Sequence, residues 1–103
     1  MNFTDTHDIQ NISVSSPLPG AVRVTGEFIQ GSTATGVLIL LYRPRDLYVT
    51  YDLISRKDML VTDIHVGNGS YEVFAFDVEG NGTYSSATVK PIVVDVMPSD
   101  SDG

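Results

Sequence analysis

At 103 residues the chain has the length of one domain, near the usual size for a self-sufficient core. Hydrophobic residues make up 42%, chiefly the Val, Ile, Leu, Tyr and Phe that suit a pleated, half-buried surface. The net charge of −7 argues against nucleic acid, whose phosphates need a clustered basic surface; the lack of cysteine removes disulfides, thiolate metal sites and cysteine nucleophiles together.

Residues 1–8 are polar and read as an arm or linker. A first strand is predicted from Ile9 to Ser15, with Ile12 and Val14 on one face. The stretch Ser15 to Gly20 must turn, because Pro17 and Pro19 lack amide donors and Gly20 tolerates either sign of φ. From Ala21 to Ile29, Val22, Val24 and Phe28 alternate with Arg23, Thr25 and Glu27, the pattern of a half-buried strand, with Gly26 marking a bulge or a close approach. Gln30 to Gly36 reads as a small-residue loop.

The run Gly36 to Pro44 is apolar on both faces and is predicted to be a central strand covered on each side; at strand length it is far too short to span a membrane. Leu47 to Ile54 alternates again, with Leu47, Val49, Tyr51 and Leu53 opposite Tyr48, Thr50, Asp52 and Ile54, so that one of Tyr48 and Tyr51 should be core and the other exposed. Asp58 to His65 follows with Leu60, Thr62 and Ile64 on one side. The next strand, Tyr71 to Val78, puts Tyr71, Val73 and Ala75 on one face. A last strand from Tyr84 to Val96 is interrupted by Pro91, which suits an edge or bulge. Residues 98–103 read as a polar terminal linker, leaving 9–97 as the domain.

Two glycine-flanked Asn-Gly turns, Gly67-Asn68-Gly69 and Gly80-Asn81-Gly82, bracket the Tyr71 strand. Asn-Gly suits a type I′ turn, where both central residues need φ > 0, so the pair predicts hairpins in a meander. Seven short strands without a helical period predict an all-β, seven-stranded antiparallel sandwich.

Each of the four asparagines opens an N-glycosylation sequon: Asn2–Thr4, Asn11–Ser13, Asn68–Ser70 and Asn81–Thr83. Chance would make roughly one asparagine in seven do so. The expectation is an extracellular or cell-surface domain. The opening MNFTDTHDIQ has neither the basic start nor the apolar core of a secretory signal, so the domain would be part of a longer chain.

The stretch Leu60 to Ser86 resembles the fibronectin type III family of immunoglobulin-like sandwiches. Ile64, the turn Gly67-Asn68-Gly69 and Tyr71 stand where that family has an apolar residue, a short turn and the tyrosine that opens strand F. Val73, Ala75, Gly80, Gly82 and Ser85 or Ser86 follow its alternation and F–G turn, and Tyr42 looks like its strand C tyrosine. The usual strand B tryptophan is replaced by Phe28 or Val24, the proline run after that strand is missing, and Asp77 stands where a small apolar residue is usual. The resemblance makes Tyr71, Gly69 and Gly82 fold-defining and implies a non-enzymatic adhesion, receptor or matrix module, serving as spacer or protein-binding unit.

Sites of chemistry are sparse. Asp77, Glu79 and Asn81-Gly82 resemble the first half of a calcium loop, but Thr88 stands where its bidentate glutamate belongs; Asp77, Glu79 and Asp95 are kept as candidates for a looser interdomain calcium site. His7 and His65 make no zinc set, and Ser70 lacks the G-x-S-x-G frame of a nucleophile, so no catalytic residue, cofactor or structural metal is predicted. Arg43 and Arg45, with an exposed Tyr48 or Tyr51 beside them, form the candidate interface, since Tyr and Arg are enriched in such surfaces. Partners are expected to be proteins or neighbouring domains, without nucleic acid or membrane insertion. Two alternatives stand beside this reading: a subunit that assembles by strand addition through Met1 to Gln10 and Val89 to Val96, and an accessory carbohydrate-binding sandwich.

Overall fold

A computed structural model describes residues 9–57, 59–84 and 91–98. Seven strands are present: β1 (Ile9–Ser15), β2 (Ala21–Phe28), β3 (Ala34–Arg43), β4 (Tyr48–Ser55), β5 (Met59–His65), β6 (Gly69–Glu79) and β7 (Ile92–Val96). They form two antiparallel sheets, ordered β1-β2-β5 and β4-β3-β6-β7. The predicted all-β sandwich is the observed architecture. The predicted linker 1–8, the predicted linker 98–103 apart from Pro98, and residues 85–90 of the predicted last strand and C-terminal arm, with Ser85, Ser86 and Thr88, lie outside the described residues; Ile9, Gln10 and Ile92–Val96 are built into strands.

The core lies between the sheets. Val22, Val24 and Leu60 from the three-stranded sheet meet Val37, Ile39, Leu41, Tyr71, Val73 and Ala75 from the other, all essentially solvent-free. Ile9 and Ile12 both reach this core although they are three residues apart, because β1 carries a bulge. Gln10 pairs with Glu27 and Ser13 with Thr25, so Asn11 and Ile12 together oppose Gly26. Asn11 takes φ 56° there, a left-handed conformation that asparagine tolerates better than most residues. Gly26 itself is the predicted close approach: a Cβ on it would stand 3.3 Å from Ile9 and 3.4 Å from Ile12.

Three expectations are corrected. First, Gly67-Asn68-Gly69 is no hairpin. It carries the chain from β5 in one sheet to β6 in the other, and Asn68 is not at positive φ. The glycine-rich turn serves a crossover, in which Gly69 takes φ 142° and packs against the Arg43 stem. Second, Gly80-Asn81-Gly82 does close a hairpin, but without a type I′ turn. The Gly82 amide donates to the Glu79 carbonyl at 2.9 Å and only Gly82, at φ 84°, is left-handed, the geometry of an ordinary turn followed by a glycine bulge. Of the strand predicted from Tyr84 to Val96, the described residues show the Val78–Tyr84 bridge at its start and β7 at the sheet edge after Pro91. Third, β3 is central in its sheet but, among the described residues, covered on one side only. Val37, Ile39 and Leu41 face the core, while Leu38, Leu40 and Tyr42 lie half-buried on the outside.

Candidate functional site

The predicted interface residues Arg43, Arg45, Tyr48 and Tyr51 divide. Arg43 ends β3 at the β5–β6 crossover and is fully engaged. Its Nε and Nη2 donate to the two oxygens of Asp46 at 2.8 and 2.7 Å, and Nη1 donates to the Tyr71 hydroxyl at 2.8 Å and the Asn68 carbonyl at 3.2 Å. The guanidinium also lies 4.8 Å from the Tyr48 ring centre and 5.5 Å from that of Tyr71. Tyr71 closes the cluster by donating to the Gly67 carbonyl at 2.8 Å, tying β6 to the crossover that leads into it. The Arg43 hydrogen bonds hold the Asp46 carboxyl below its ordinary range. Burial raises Tyr71 and the guanidinium opposes that rise. This cluster is a clasp at one end of the sandwich. Tyr48 and Tyr51 are both exposed, at 42% and 67%, which corrects the expectation that one would be core: Tyr48 stands at the first position of β4 under Arg43.

The calcium candidates do not converge. Asp77 is fully buried on the inner face opposite Val37 and is engaged by a partner. Glu79 accepts a hydrogen bond from Thr33 at 2.8 Å, and Asp95 pairs with Ser70, roughly 24 Å along β6 from Asp77 at the strand rise. No group of three metal-ligating side chains forms among the described residues. His65 and Ser70 lie in different sheets. Of the sequons, Asn2 lies outside the described residues. Asn11 is exposed on β1, and Asn68 and Asn81 are exposed in loops beside opposite ends of β6. The Asn81 Oδ1 accepts from both the amide and the hydroxyl of Thr83, at 3.1 and 2.7 Å.

The feature that sequence reasoning missed is the outer face of β4-β3-β6-β7. An antiparallel sheet with one solvated face ordinarily alternates apolar-in with polar-out. β4 does the reverse. Its pairing with β3 sets Thr50 opposite Leu41 and Asp52 opposite Ile39, so the polar side points inward, while Val49, Tyr51 and Leu53 point out. Asp52 is accommodated at the open side of the sandwich, where the Thr62 hydroxyl donates to it at 3.1 Å. The outward rows continue across the sheet. Leu53 pairs with Leu38 and Leu38 with Phe76; Tyr51 pairs with Leu40 and Leu40 with Phe74. Below them Val49, Tyr42, Glu72 and Val93 make a third row. At the upper end Gly36 leaves a dent of about 150 Å³ lined by Leu53, Ser55 and Val78, and Tyr84, bridged to Val78, stands at the far side of the same row.

Glu72 is the one charge within these rows, with Asp95 below it on β7. None of the three described sequon asparagines lies in them. The signal was present in the sequence as the double-sided apolarity of β3 and of Tyr71 to Phe76 in β6. It reads equally well as a strand covered by a second layer, and that layer is absent among the described residues.

No protein-family model matches the chain, and no curated protein matches it in sequence. Among solved structures, the fibronectin type III domain of the human collagen alpha-1(XX) chain superposes with a TM-score of 0.66 at 14% identity, covering 100% of this chain and 98% of that one. The fold is a fibronectin type III sandwich. No helix among the described residues is long and apolar enough to cross a membrane.

Proposed function

We propose that the chain is a non-enzymatic protein-interaction module of an extracellular protein and that it binds through the outer face of β4-β3-β6-β7. The observation that carries this reading is the apolar surface of three paired rows, interrupted by Glu72 alone, on which Tyr51, Leu53 and Val93 are each more than half exposed. Contiguous apolar surface of this kind on a free domain marks an interaction site, and aromatic residues supply much of the contact energy where proteins meet. The three described sequons, on β1 and in the loops at the ends of the sandwich, would place glycans on the flanks and leave this face open. The fold itself suits a spacer or binding unit within a larger chain.

Two measurements test the reading. Secretion from a eukaryotic host, with intact mass before and after deglycosylation, is expected to show glycans at one or more of Asn11, Asn68 and Asn81; unmodified secreted protein would remove the support for the extracellular compartment. Binding to an array of extracellular proteins, compared between wild type and the double variant Tyr51→Lys/Leu53→Lys, is expected to lose its signals in the variant. Unchanged signals would sink the outer face as the binding surface.

A further inference from the structure

The chain holds two Asn-Gly pairs, Asn68-Gly69 and Asn81-Gly82, and the fold treats their side chains differently. Asparagine before glycine is prone to cyclise, because the next amide nitrogen reaches the side-chain Cγ most easily where no Cβ crowds the approach. We infer that Asn68 is a site of spontaneous deamidation in the folded chain and that Asn81 is shielded from the same reaction. The inference concerns the chain without a glycan on Asn68, and it is independent of the compartment and of the outer face.

The reaction balances with water as its one co-reactant. The Gly69 amide nitrogen gives up its proton and attacks Cγ of Asn68. An N–Cγ bond forms, the Cγ–Nδ2 bond breaks, and Nδ2 leaves with the proton as ammonia. Water then opens the cyclic succinimide. Attack at Cγ leaves an ordinary aspartate; attack at the former Asn68 main-chain carbonyl leaves isoaspartate, with the main chain running through Cγ. Nothing is oxidised or reduced, and either product adds one negative charge.

Three features separate the two sites. Asn68 is exposed and its side-chain amide makes no hydrogen bond among the described residues, so it is free to turn toward Gly69. Asn81 is exposed too, but its Oδ1 accepts from the Thr83 amide at 3.1 Å and the Thr83 hydroxyl at 2.7 Å, which holds Cγ in place. The attacking amides also differ. That of Gly82 donates to the Glu79 carbonyl at 2.9 Å inside a closed turn. Gly69 stands opposite Val96 at the outermost rung of the β6–β7 ladder, where pairing opens first. Finally, Arg43 Nη1 donates to the Asn68 carbonyl at 3.2 Å. When the Gly69 amide loses its proton, the negative charge is shared with that carbonyl oxygen, so the guanidinium stabilises the nucleophile as it forms.

The product acts on the clasp. Asn68 lies between Gly67, whose carbonyl accepts from the Tyr71 hydroxyl at 2.8 Å, and Gly69, which packs on the Arg43 stem. In isoaspartate the former Asn68 carbonyl becomes a carboxylate beside Arg43 and competes with Asp46 for it. An extra main-chain carbon also separates Gly67 from Gly69. Isoaspartate should therefore loosen the clasp, whereas ordinary aspartate, which keeps the main chain, should not.

Incubating the full, unglycosylated chain at mildly alkaline pH, with peptide mapping over time, tests this. In native protein Asn68 should convert several-fold faster than Asn81. In concentrated urea, which removes the fold, the two should convert at similar rates. Thr83→Ala, which removes one of the two bonds to Asn81 Oδ1, should narrow the native difference. Chains isolated with isoaspartate at position 68 should unfold at a lower urea concentration than fresh protein, and Asn68→Asp should not. No conversion at Asn68 in native protein, native rates that are equal or favour Asn81, or the same preference for Asn68 in urea would each overturn the inference. An isoaspartate chain with the urea midpoint of fresh protein would overturn its link to the clasp.

Discussion

Tyr71 shows how much one buried polar atom can decide. Its ring fills the core at zero exposure, and its hydroxyl both donates to Gly67 and accepts from Arg43. Tyr71→Phe keeps the ring and removes both bonds, while Arg43 Nη1 keeps the Asn68 carbonyl and the Gly67 carbonyl stays open to water; the expected loss is about 1 kcal/mol, read as a lower urea midpoint at an unchanged slope. The same clasp, with the exposed Arg23–Asp63 pair at 2.8 Å, gives the acid limb of stability. Hydrogen bonding to arginine holds Asp46 and Asp63 below their ordinary values. The stability they contribute is therefore present above about pH 4, the unfolded carboxylate value, and is lost as pH falls through the lower folded values. Asp46→Asn is expected to flatten the melting temperature below pH 4 relative to wild type, by a small amount because the pair is solvated.

At the scale of elements, backbone geometry and face assignment come apart. Leu47 closes the β3–β4 turn at φ 59° and is 73% exposed, a conformation in which a branched apolar residue is strained by roughly 1–2 kcal/mol. Leu47→Gly should raise the unfolding free energy by about 1 kcal/mol, read as a higher urea midpoint, because glycine takes that conformation without the strain. Gly36 is the opposite case: a Cβ there would stand 2.5 Å from the Ile54 carbonyl oxygen. Gly36→Ala should force β3 from β4 and cost about 1–3 kcal/mol by overpacking, visible as faster amide exchange at Leu53 to Ser55.

Strand number, the Tyr71 face and the Gly26 contact were all legible in the sequence, because alternation and a missing side chain have one physical meaning each. The Asn-Gly turns were not, since glycine serves any left-handed or crowded site and its presence does not say whether the chain returns to the same sheet. The apolar face was illegible for a related reason. β3 and β6 are apolar on both sides whether a second layer lies within the chain or arrives with a partner, and only the β4 register, with Asp52 turned inward, shows that Val49, Tyr51 and Leu53 extend that outer face.

The whole molecule carries a charge of −7 and yet presents an apolar face, so its solubility should respond to pH in a diagnostic way. Above the isoelectric point near 4.4 the net negative charge keeps copies apart, over a range of about 8 Å at physiological salt and about 30 Å at low salt. At the isoelectric point that repulsion vanishes and exposed apolar surface is left to act. Wild-type solubility is therefore expected to pass through a minimum near pH 4.4. Tyr51→Lys/Leu53→Lys, which removes two mostly exposed apolar side chains, is expected to be several-fold more soluble when each protein is held at its own isoelectric point. Equal solubility there would mean that the outer face contributes nothing to contacts between copies.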